Sequence, residues 1–498
     1  MDTQAEILKL EEAISRNRSE YQKLIVRHAE LKNSLSPLYH LPLEILLLIL
    51  EIAYDMHETC SLTDRSTPLW ILSQTCKRWR SAAALWKRFD FNDSEGSLPK
   101  LLPKDPISIA KAWLARSNSP LKGEVCLRGV DWTRNEGVYW VGEEILTLLG
   151  NECHRWQELS LQIRNRYLYY TFATRGELFP LLQKLEVVVV LEDETDEEEM
   201  DDVIFPAILE SESLQAPNLT HASMSVFAIS GYTPIISTIP LPWHQLTHYS
   251  CGHNLDEGFF AIVPKLVKLQ SLVFQLEDYQ SPNFRDAPHG TLLNLRSVEC
   301  NTESVHTAVA LMSKVTLPVV EKVVLHFLYP ETLQSDEGVV DSLGQAIASL
   351  QHRSSCRIQE LSINIEAFTS PKSRRLSLPT VRILRLYYSQ FGFTHSGLII
   401  MQKALEALRS TTLYPRLTTL YIAVYSGEGF HNLIPALVEV VEARRAKASS
   451  TDDQLASIQI EAEYSRSFEI PTYLPAYQRL LELQREGLEL SGGCFSSR

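Results

Sequence analysis

Apolar residues recur between residues 156 and 460 in one short pattern, apolar-x-x-apolar-x-apolar. The last two apolar positions are two residues apart, and side chains two apart on a β-strand point to the same face. The pattern therefore predicts a series of strands that share one core. Its middle apolar residues are Leu159, Leu185, Ala222, Tyr249, Leu272, Val298, Val323, Leu361, Leu384, Leu420 and Ile458.

The connections between these strands carry helical patterns, most clearly at residues 335–350, 397–409 and 432–448. One strand with one helix cannot bury an apolar face alone, but stacked neighbours can. The predicted fold class is α/β: an N-terminal long helix and a small all-α module, followed by an irregular leucine-rich-repeat-like solenoid with a parallel sheet on its concave side. A compact doubly wound α/β domain is the alternative, because alternating strands and helices suit it too.

A short proline-containing segment precedes many of the predicted strands. In each case the proline lies two residues before the first apolar residue of the pattern, so its fixed φ favours a turn into the strand. The prolines are Pro180, Pro217, Pro318, Pro379 and Pro415.

The first 38 residues have a different period. Ile7, Ile14, Tyr21, His28 and Leu35 recur every seven residues, and a second set follows three positions later, which is the a/d seam of a coiled coil. The pattern predicts a helix of roughly 30 residues that ends near Ser36-Pro37. Pairing with another chain and packing on the same chain both remain open. The second set is Leu10, Asn17, Leu24, Leu31 and Leu38.

The sequence pattern of residues 41–86 predicts two short amphipathic helices. Together these helices carry more apolar surface than a small module can bury. Pro42 suits a first helical position, and Glu44 follows in the first turn, where the helix dipole favours a carboxylate. The second helix has an apolar stripe at spacings of three and four residues. Its members are Leu69, Leu72, Cys76, Trp79, Ala83 and Trp86.

This stretch resembles the F-box. The family pattern is present as Leu41-Pro42-x-Glu44-Ile45-Leu46, Cys76-Lys77-Arg78-Trp79 and Leu85-Trp86. The resemblance implies binding to the Skp-type adaptor of cullin–RING ubiquitin ligases. With the leading helix and the degenerate repeats, the chain resembles F-box leucine-rich-repeat proteins of mushroom-type fungi. An ordinary helical hairpin is the alternative. The expected adaptor-binding residues are Leu41, Pro42, Ile45, Leu46, Ile49, Leu72, Trp79 and Trp86.

Composition narrows the function further. The 498 residues carry a formal net charge of −14, which argues against broad nucleic-acid affinity. Much of that charge lies in the acidic run 192–202, interpreted as a solvated loop or a docking site for a basic partner. Eight cysteines without a C-x-x-C pair favour a reducing compartment. The start of the chain lacks a signal-peptide pattern, and no apolar run could span a bilayer. These features predict a cytoplasmic or nuclear protein.

The sequence contains none of three common catalytic motifs: the nucleophile elbow, the phosphate-binding loop and the H-E-x-x-H pair. His248, Cys251 and His253 form the most metal-like cluster, but Cys251 is expected to be a plain core thiol. Aromatic residues at 167–172 favour a strand over a base-stacking platform. Basic residues at 372–375 suit either a solvated loop or a phosphate contact. We therefore expect no enzyme activity, no cofactor and no metal.

Four parts are predicted along the chain: a heptad helix at 1–38, an F-box-like module at 39–91, a linker and connecting helix at 92–120, and the solenoid at 121–498. The expected function is that of a substrate-receptor subunit of an SCF-type cullin–RING ubiquitin ligase, with the client protein on the solenoid. The alternative is a non-ligase repeat scaffold for protein–protein interaction.

Overall fold

The computed structural model divides into two compact units, Met1–Ile163 and Arg164–Arg498. Its described residues are 2–35, 37–55, 71, 88–92, 106–117, 120–127, 139–164, 178–190, 214–227, 241–252, 257–276, 288–327, 337–368, 378–388, 395–424, 430–448, 454–462 and 475–491.

The first unit combines helices with three short strands. The elements are α1 Asp2–Ser34, a 3-10 helix Pro37–His40, α2 Leu43–Asp55, β1 Arg88–Asn92, α3 Pro106–Arg116, β2 Leu121–Leu127, α4 Tyr139–Asn151, a 3-10 helix Cys153–Arg155 and β3 Trp156–Arg164.

Strands β1, β2 and β3 form a parallel sheet in that order. Arg88 of β1 is opposite Lys122 of β2, and Gly123 of β2 is opposite Leu159 of β3. Two tryptophans hold the surrounding helices to this sheet. Trp113 of α3 donates its indole N–H to the carbonyl oxygen of Arg88 at 3.2 Å, and Trp156 is fully buried at the start of β3. The core of this unit thus closes around β1 and β2, which the sequence pattern did not predict.

The second unit contains further strands and helices. They are β4 Lys184–Val190, β5 His221–Phe227, β6 His248–Gly252, α5 Glu257–Ile262, β7 Ser271–Leu276, β8 Gly290–Thr291, β9 Ser297–Thr302, α6 Val305–Lys314, β10 Val315–Thr316, β11 Lys322–Phe327, α7 Glu337–Ser354, β12 Glu360–Asn364, β13 Ile383–Tyr387, α8 His395–Leu408, β14 Thr419–Val424, α9 Ile434–Lys447, β15 Ser457–Ala462, α10 Pro475–Arg485 and β16 Glu489–Ser491.

The main strands of the second unit form a parallel sheet that follows the chain order. The order is β4-β5-β6-β7-β9-β11-β12-β13-β14-β15-β16, and β8 pairs separately with β10. The predicted parallel sheet, mixed helix-and-strand class and long N-terminal helix are therefore confirmed.

Equivalent apolar residues lie side by side across this sheet. Leu185 is opposite Ala222, and Ala222 is opposite Tyr249. The row continues strand by strand, and its members up to Ile458 are buried because they point into one core, whereas Leu490 in the last strand is half-buried. The remaining members are Leu272, Val298, Val323, Leu361, Leu384, Leu420, Ile458 and Leu490.

The five proline-containing segments form the turns that lead into their strands. After Pro180, the N–H of Leu182 donates to the carbonyl oxygen of Phe179 at 3.3 Å. After Pro415, the N–H of Leu417 donates to the carbonyl oxygen of Tyr414 at 3.2 Å. The same three-residue bond follows Pro217, Pro318 and Pro379. Each proline supplies the fixed φ of the turn without removing a sheet hydrogen bond.

Helix boundaries agree with the sequence pattern to within a few residues. α1 ends at Ser34, just before Ser36-Pro37, and α7, α8 and α9 cover the three predicted connector helices. Pro42 differs slightly from expectation: α2 begins at Leu43, and the Pro42 carbonyl oxygen accepts the first helical hydrogen bond from the Leu46 N–H at 3.1 Å. Pro42 therefore occupies the N-cap position.

Candidate functional site

A short turn orients α2 after α1. The His40 imidazole lies with Nε2 2.9 Å from the carbonyl oxygen of Ser34, near the end of α1. Leu41 is half-buried and Pro42 is exposed immediately before α2. Glu44 lies in the first turn of α2, where a carboxylate is favourable near the positive end of the helix dipole. These local features fix where α2 begins.

The two sides of α2 differ sharply in exposure. Leu46 is 1 % exposed and anchors the helix to the rest of its unit. Ile45, Leu48 and Ile52 are 43 %, 51 % and 51 % exposed. Their spacing of three and four residues places them on one side of the helix. We call Ile45, Leu48 and Ile52 the α2 outer stripe.

An outer stripe of three large aliphatic side chains is a candidate binding surface. Scattered apolar side chains are normal on a protein surface, but a contiguous apolar row indicates contact with another molecule. Ile71, the one described residue between α2 and β1, is also exposed.

The structure places only part of the predicted adaptor-binding set. Leu41, Pro42 and Ile45 are at least partly accessible, Ile49 is half-buried, and Leu46 is buried. Leu72, Trp79 and Trp86 lie outside the described residues. Leu48 and Ile52 join Ile45 on the outer stripe although they were not in the predicted set. Their helical spacing from Ile45 was the signal that could have identified them.

A second accessible surface lies on the sheet of the second unit. Alternate residues of β11–β14 point away from the buried row, and several are aromatic or charged. The His326 and Tyr387 rings lie 4.3 Å apart, and the Arg385 guanidinium carbon lies 5.0 Å above the Tyr421 ring. Arg385 Nε also donates to Glu360 Oε1 at 2.8 Å. We call Glu360, His326, Arg385, Tyr387 and Tyr421 the sheet-face cluster.

The side chains of the sheet-face cluster are half-buried, and the opposite charges of Glu360 and Arg385 offset each other. Glu360 accepts contacts from Arg385 and from Lys322, whose Nζ lies 3.2 Å from Glu360 Oε1. Burial lowers the pKa of His326, and the nearby Glu299 carboxylate opposes that shift. His326 is therefore neutral at pH 7. Such a surface suits contact with another protein, since interface cores are enriched in tyrosine and arginine.

The remaining candidate residues support no metal site within the described ranges. Cys251 is fully buried in β6, as predicted for a core thiol. His248 stacks on His221 at 4.1 Å between ring centroids, and burial followed by the His221 charge lowers its pKa. His253, the aromatic residues 167–172, the basic loop 372–375 and the acidic run 192–202 lie outside the described residues. No group of three potential metal ligands occurs among the described side chains.

Within the ranges that the structure covers, every helix is too short or too polar to cross a lipid bilayer.

Comparison with known protein families identifies a match around α2. Residues 38–92 match the family model described as F-box-like. The matched interval extends from the turn before α2 through β1, so it contains the α2 outer stripe. A search of curated proteins finds no match. F-box domains generally bind Skp-type adaptors in cullin ligase assemblies. The chain therefore carries an F-box-like domain at residues 38–92.

Proposed function

We propose that this chain is a substrate-receptor subunit of an SCF-type cullin–RING ubiquitin ligase. The observation that carries the proposal is that the α2 outer stripe lies inside the F-box-like domain. In a domain whose family binds an adaptor protein, this apolar helix side would form part of the contact, because helix docking uses anchors spaced by three and four residues. A cytoplasmic or nuclear location is part of the same proposal.

The client-binding part would be a leucine-rich-repeat-like solenoid. The sequential strand order supports it, since a doubly wound domain reverses its strand order at a switch point. The row from Leu185 to Ile458 gives each successive strand an equivalent buried residue, as stacked repeats require. Together with the helix that leads into the F-box-like domain, these features support the resemblance to F-box leucine-rich-repeat proteins of mushroom-type fungi.

In this proposal the chain catalyses no bond chemistry itself. It holds a client and the ligase in one assembly, so the rate gain comes from the high effective concentration of the reacting groups. The sheet-face cluster is the client contact best supported by the described residues, because it offers two tyrosines and an arginine on an otherwise regular strand surface.

Adaptor capture tests the ligase attachment. The full chain and its Ile45→Glu/Leu48→Glu variant would be incubated with a purified Skp-type adaptor and recovered by affinity pull-down. We expect at least tenfold weaker capture by the variant, because two carboxylates would be buried against an apolar partner. Leu293→Glu/Val319→Glu is the matched control, since both of its sites are exposed in the second unit. The Leu41→Ala/Pro42→Ala variant tests the sequence motif in the same assay.

A repeat scaffold without ligase attachment is the second candidate. The burial of Leu46 favours it, because that residue already packs inside its own unit. This candidate predicts negligible capture of the adaptor by the wild-type chain and by both α2 variants. Strong capture by the wild type that is lost only in the α2 variants would exclude it.

A further inference from the structure

The N-terminal helix α1 is 33 residues long and has no buried side among its described residues. Every side chain from residue 6 to residue 32 is exposed. Large apolar residues are among them, such as Leu24 at 67 % exposure. Helices in proteins obtain most of their stability from packing an apolar face. A bare helix of this length therefore indicates a partner surface.

Most of the exposed large apolar residues of α1 follow the heptad seam, and Leu8, Ile25 and Val26 lie outside it. Positions a and d form one narrow side of α1, while an ion pair at 3.8 Å joins Glu12 and Arg16 at the outer positions f and c. The seam is the coiled-coil pattern in which apolar side chains insert between those of a second helix. Its exposed apolar members are Ile7, Leu10, Ile14, Tyr21, Leu24, Leu31 and Leu35.

Charge along α1 is divided between its two halves. Residues 2–14 contain four acidic residues and one base, whereas residues 21–34 contain three bases and one acidic residue. A second copy in the antiparallel direction would bring each acidic half against a basic half. A parallel copy would place like halves together. Charge complementarity and the helix dipoles therefore both favour the antiparallel order.

The polar seam residues Asn17 and His28 occupy different layers in the two directions of pairing. An antiparallel pair in which the residue numbers of facing side chains sum to about 38 would place Ile14 against Leu24 of the second copy. Asn17 would then face Tyr21 of the second copy, so two polar side chains near the centre would share a layer. In a parallel pair, Asn17 would face Asn17 of the second copy, and His28 would face His28 of the second copy. The same antiparallel register would place His28 against Leu10 of the second copy, so the polar seam residues do not distinguish the two directions and the choice rests on charge.

Charged residues beside the seam, at positions e and g, would bring some like charges together in either direction of pairing. In a parallel pair, Glu6 would approach Glu11 of the second copy, and Arg27 would approach Lys32. The antiparallel register has like charges only near its centre, at Arg18 and at Glu20. The antiparallel contacts at Arg18 and at Glu20 lie on the twofold axis and would each occur once, whereas each like-charge contact of the parallel pair would occur twice. The antiparallel order therefore has less like-charge repulsion.

We propose that α1 pairs with α1 of a second copy of this chain as an antiparallel two-stranded coiled coil. The pairing would place the two Leu35 residues at opposite ends, about 50 Å apart at 1.5 Å per residue. The F-box-like domains of the two copies would follow from those opposite ends. The inference stands independently of adaptor binding, since it concerns residues that precede the matched domain.

Sedimentation velocity of the full chain between about 1 and 100 µM tests the proposal. We expect the wild type to change from monomer to dimer within this range. Ile14→Glu/Leu24→Glu places two charges in the seam and should weaken dimerisation at least tenfold. Leu8→Glu/Val26→Glu adds the same two carboxylates at the outer positions b and f, and should change the dissociation constant less than twofold.

Two results would overturn self-association through the seam. One is a wild type that stays monomeric throughout the concentration range. The other is an equal effect of the seam variant and the outer variant. Because neither variant lies in the F-box-like domain, adaptor capture should remain unchanged in both, so failure here is distinguishable from failure of the proposed function.

Disulfide crosslinking tests the direction of the pair. Ile7→Cys and Leu31→Cys chains would be mixed at dimer-forming concentration and oxidised, and the linked peptides would be identified by mass spectrometry. The antiparallel order predicts that links between position 7 and position 31 exceed links between identical positions. A predominance of links between identical positions would show a parallel pair and contradict the proposal.

Discussion

Arg444 in α9 donates a hydrogen bond from its Nε to the carbonyl oxygen of Leu408, the last residue of α8, at 2.8 Å. The same guanidinium donates to the carbonyl oxygens of Tyr414 and Ser410. Burial lowers the pKa of Arg444 to about 10, and the Tyr414 side chain opposes that shift. Arg444 therefore remains charged at pH 7 and satisfies carbonyl groups that the end of α8 leaves without helical partners.

Two other arginines have equivalent roles. Arg353 of α7 donates to the carbonyl oxygen of Met312 in the last turn of α6 at 2.5 Å and to that of Val315 at 2.7 Å. Arg155 donates to the carbonyl oxygen of Leu114 near the end of α3 at 3.2 Å. A later basic side chain thus caps the negative end of an earlier helix in both units.

Replacing Arg444 by leucine should destabilise the second unit strongly. Three carbonyl oxygens would lose a charged donor, and we expect a decrease of about 3–5 kcal/mol in the free energy of unfolding. Urea unfolding followed by circular dichroism measures it. Arg409→Leu is the matched control, because the Arg409 side chain is exposed in its ion pair with Glu439 and should contribute less than about 1 kcal/mol. Equal losses for the two variants would contradict the capping role.

The sequence predicts the sheet well because the same apolar pattern recurs in most of the strands. Residues such as Leu272 and Phe274 lie two apart and both face the core, so strand and burial follow from the same pair of letters. β16 was missed because it has three residues and adds only the half-buried Leu490 to the row. β1 was missed because it lies directly after the F-box-like motif and has the polar Asp90 between Phe89 and Phe91.

The arginine caps were not predictable for a different reason. Arg353 and Met312 are separated by about forty residues, and the acceptor is a backbone carbonyl that any residue type could provide. The sequence therefore contains no signal for the partner. In the candidate adaptor site, the F-box-like motif located α2, but only the structure shows that Leu46 points inward while Leu48 is exposed.

Asp90 should make the first unit less stable as the pH rises. Burial, with the Glu124 charge second, raises the pKa of Asp90 from 3.8 to about 8. The native carboxyl then holds a proton that the unfolded chain has released, so stability is full below about pH 4 and is lost as the pH approaches 8. Because Arg88 Nε lies 3.2 Å from Asp90 Oδ1 and offsets part of the burial cost, we expect a loss of about 3 kcal/mol.

Tryptophan fluorescence during thermal unfolding measures this effect in the first unit, which contains seven of the eight tryptophans. Asp90→Asn should remove most of the difference in melting temperature between pH 5 and pH 8, since the amide does not titrate. Glu158→Gln is the control, because that carboxylate is partly exposed and pairs with Lys122 at 2.6 Å. An unchanged pH dependence in Asp90→Asn would show that other groups cause it.

Gly123 is required by the close approach of Trp156. A Cβ atom at residue 123 would lie 2.7 Å from Trp156 Cζ3 and 3.0 Å from Leu159 Cδ1. Gly123→Ala should therefore destabilise the first unit by about 1–3 kcal/mol through overpacking. Trp156→Phe removes the ring that clashes, so a double-mutant cycle should show a favourable coupling of about 0.5–2 kcal/mol. Additive losses in urea unfolding would show that the clash is relieved elsewhere.

The sheet-face cluster should select the client without affecting the adaptor. Tyr387→Ala/Tyr421→Ala removes two half-buried rings whose centroids lie 6.1 Å apart, and leaves Arg385 without the Tyr421 ring beneath it. Loss of central aromatic contacts typically costs about 2 kcal/mol or more per hot-spot residue, so we expect at least a tenfold decrease in captured client. Quantitative mass spectrometry of proteins that copurify with each variant measures it, with the adaptor as an internal reference.

Tyr477→Ala is the matched control for this pair, because Tyr477 is a half-buried tyrosine on α10 and not on the strand surface. The control should retain both client and adaptor. If Tyr387→Ala/Tyr421→Ala removed the adaptor together with all other copurifying proteins, the substitutions would have disturbed folding of the whole chain. If it retained every copurifying protein at the wild-type level, the client would bind at a surface other than β11–β14.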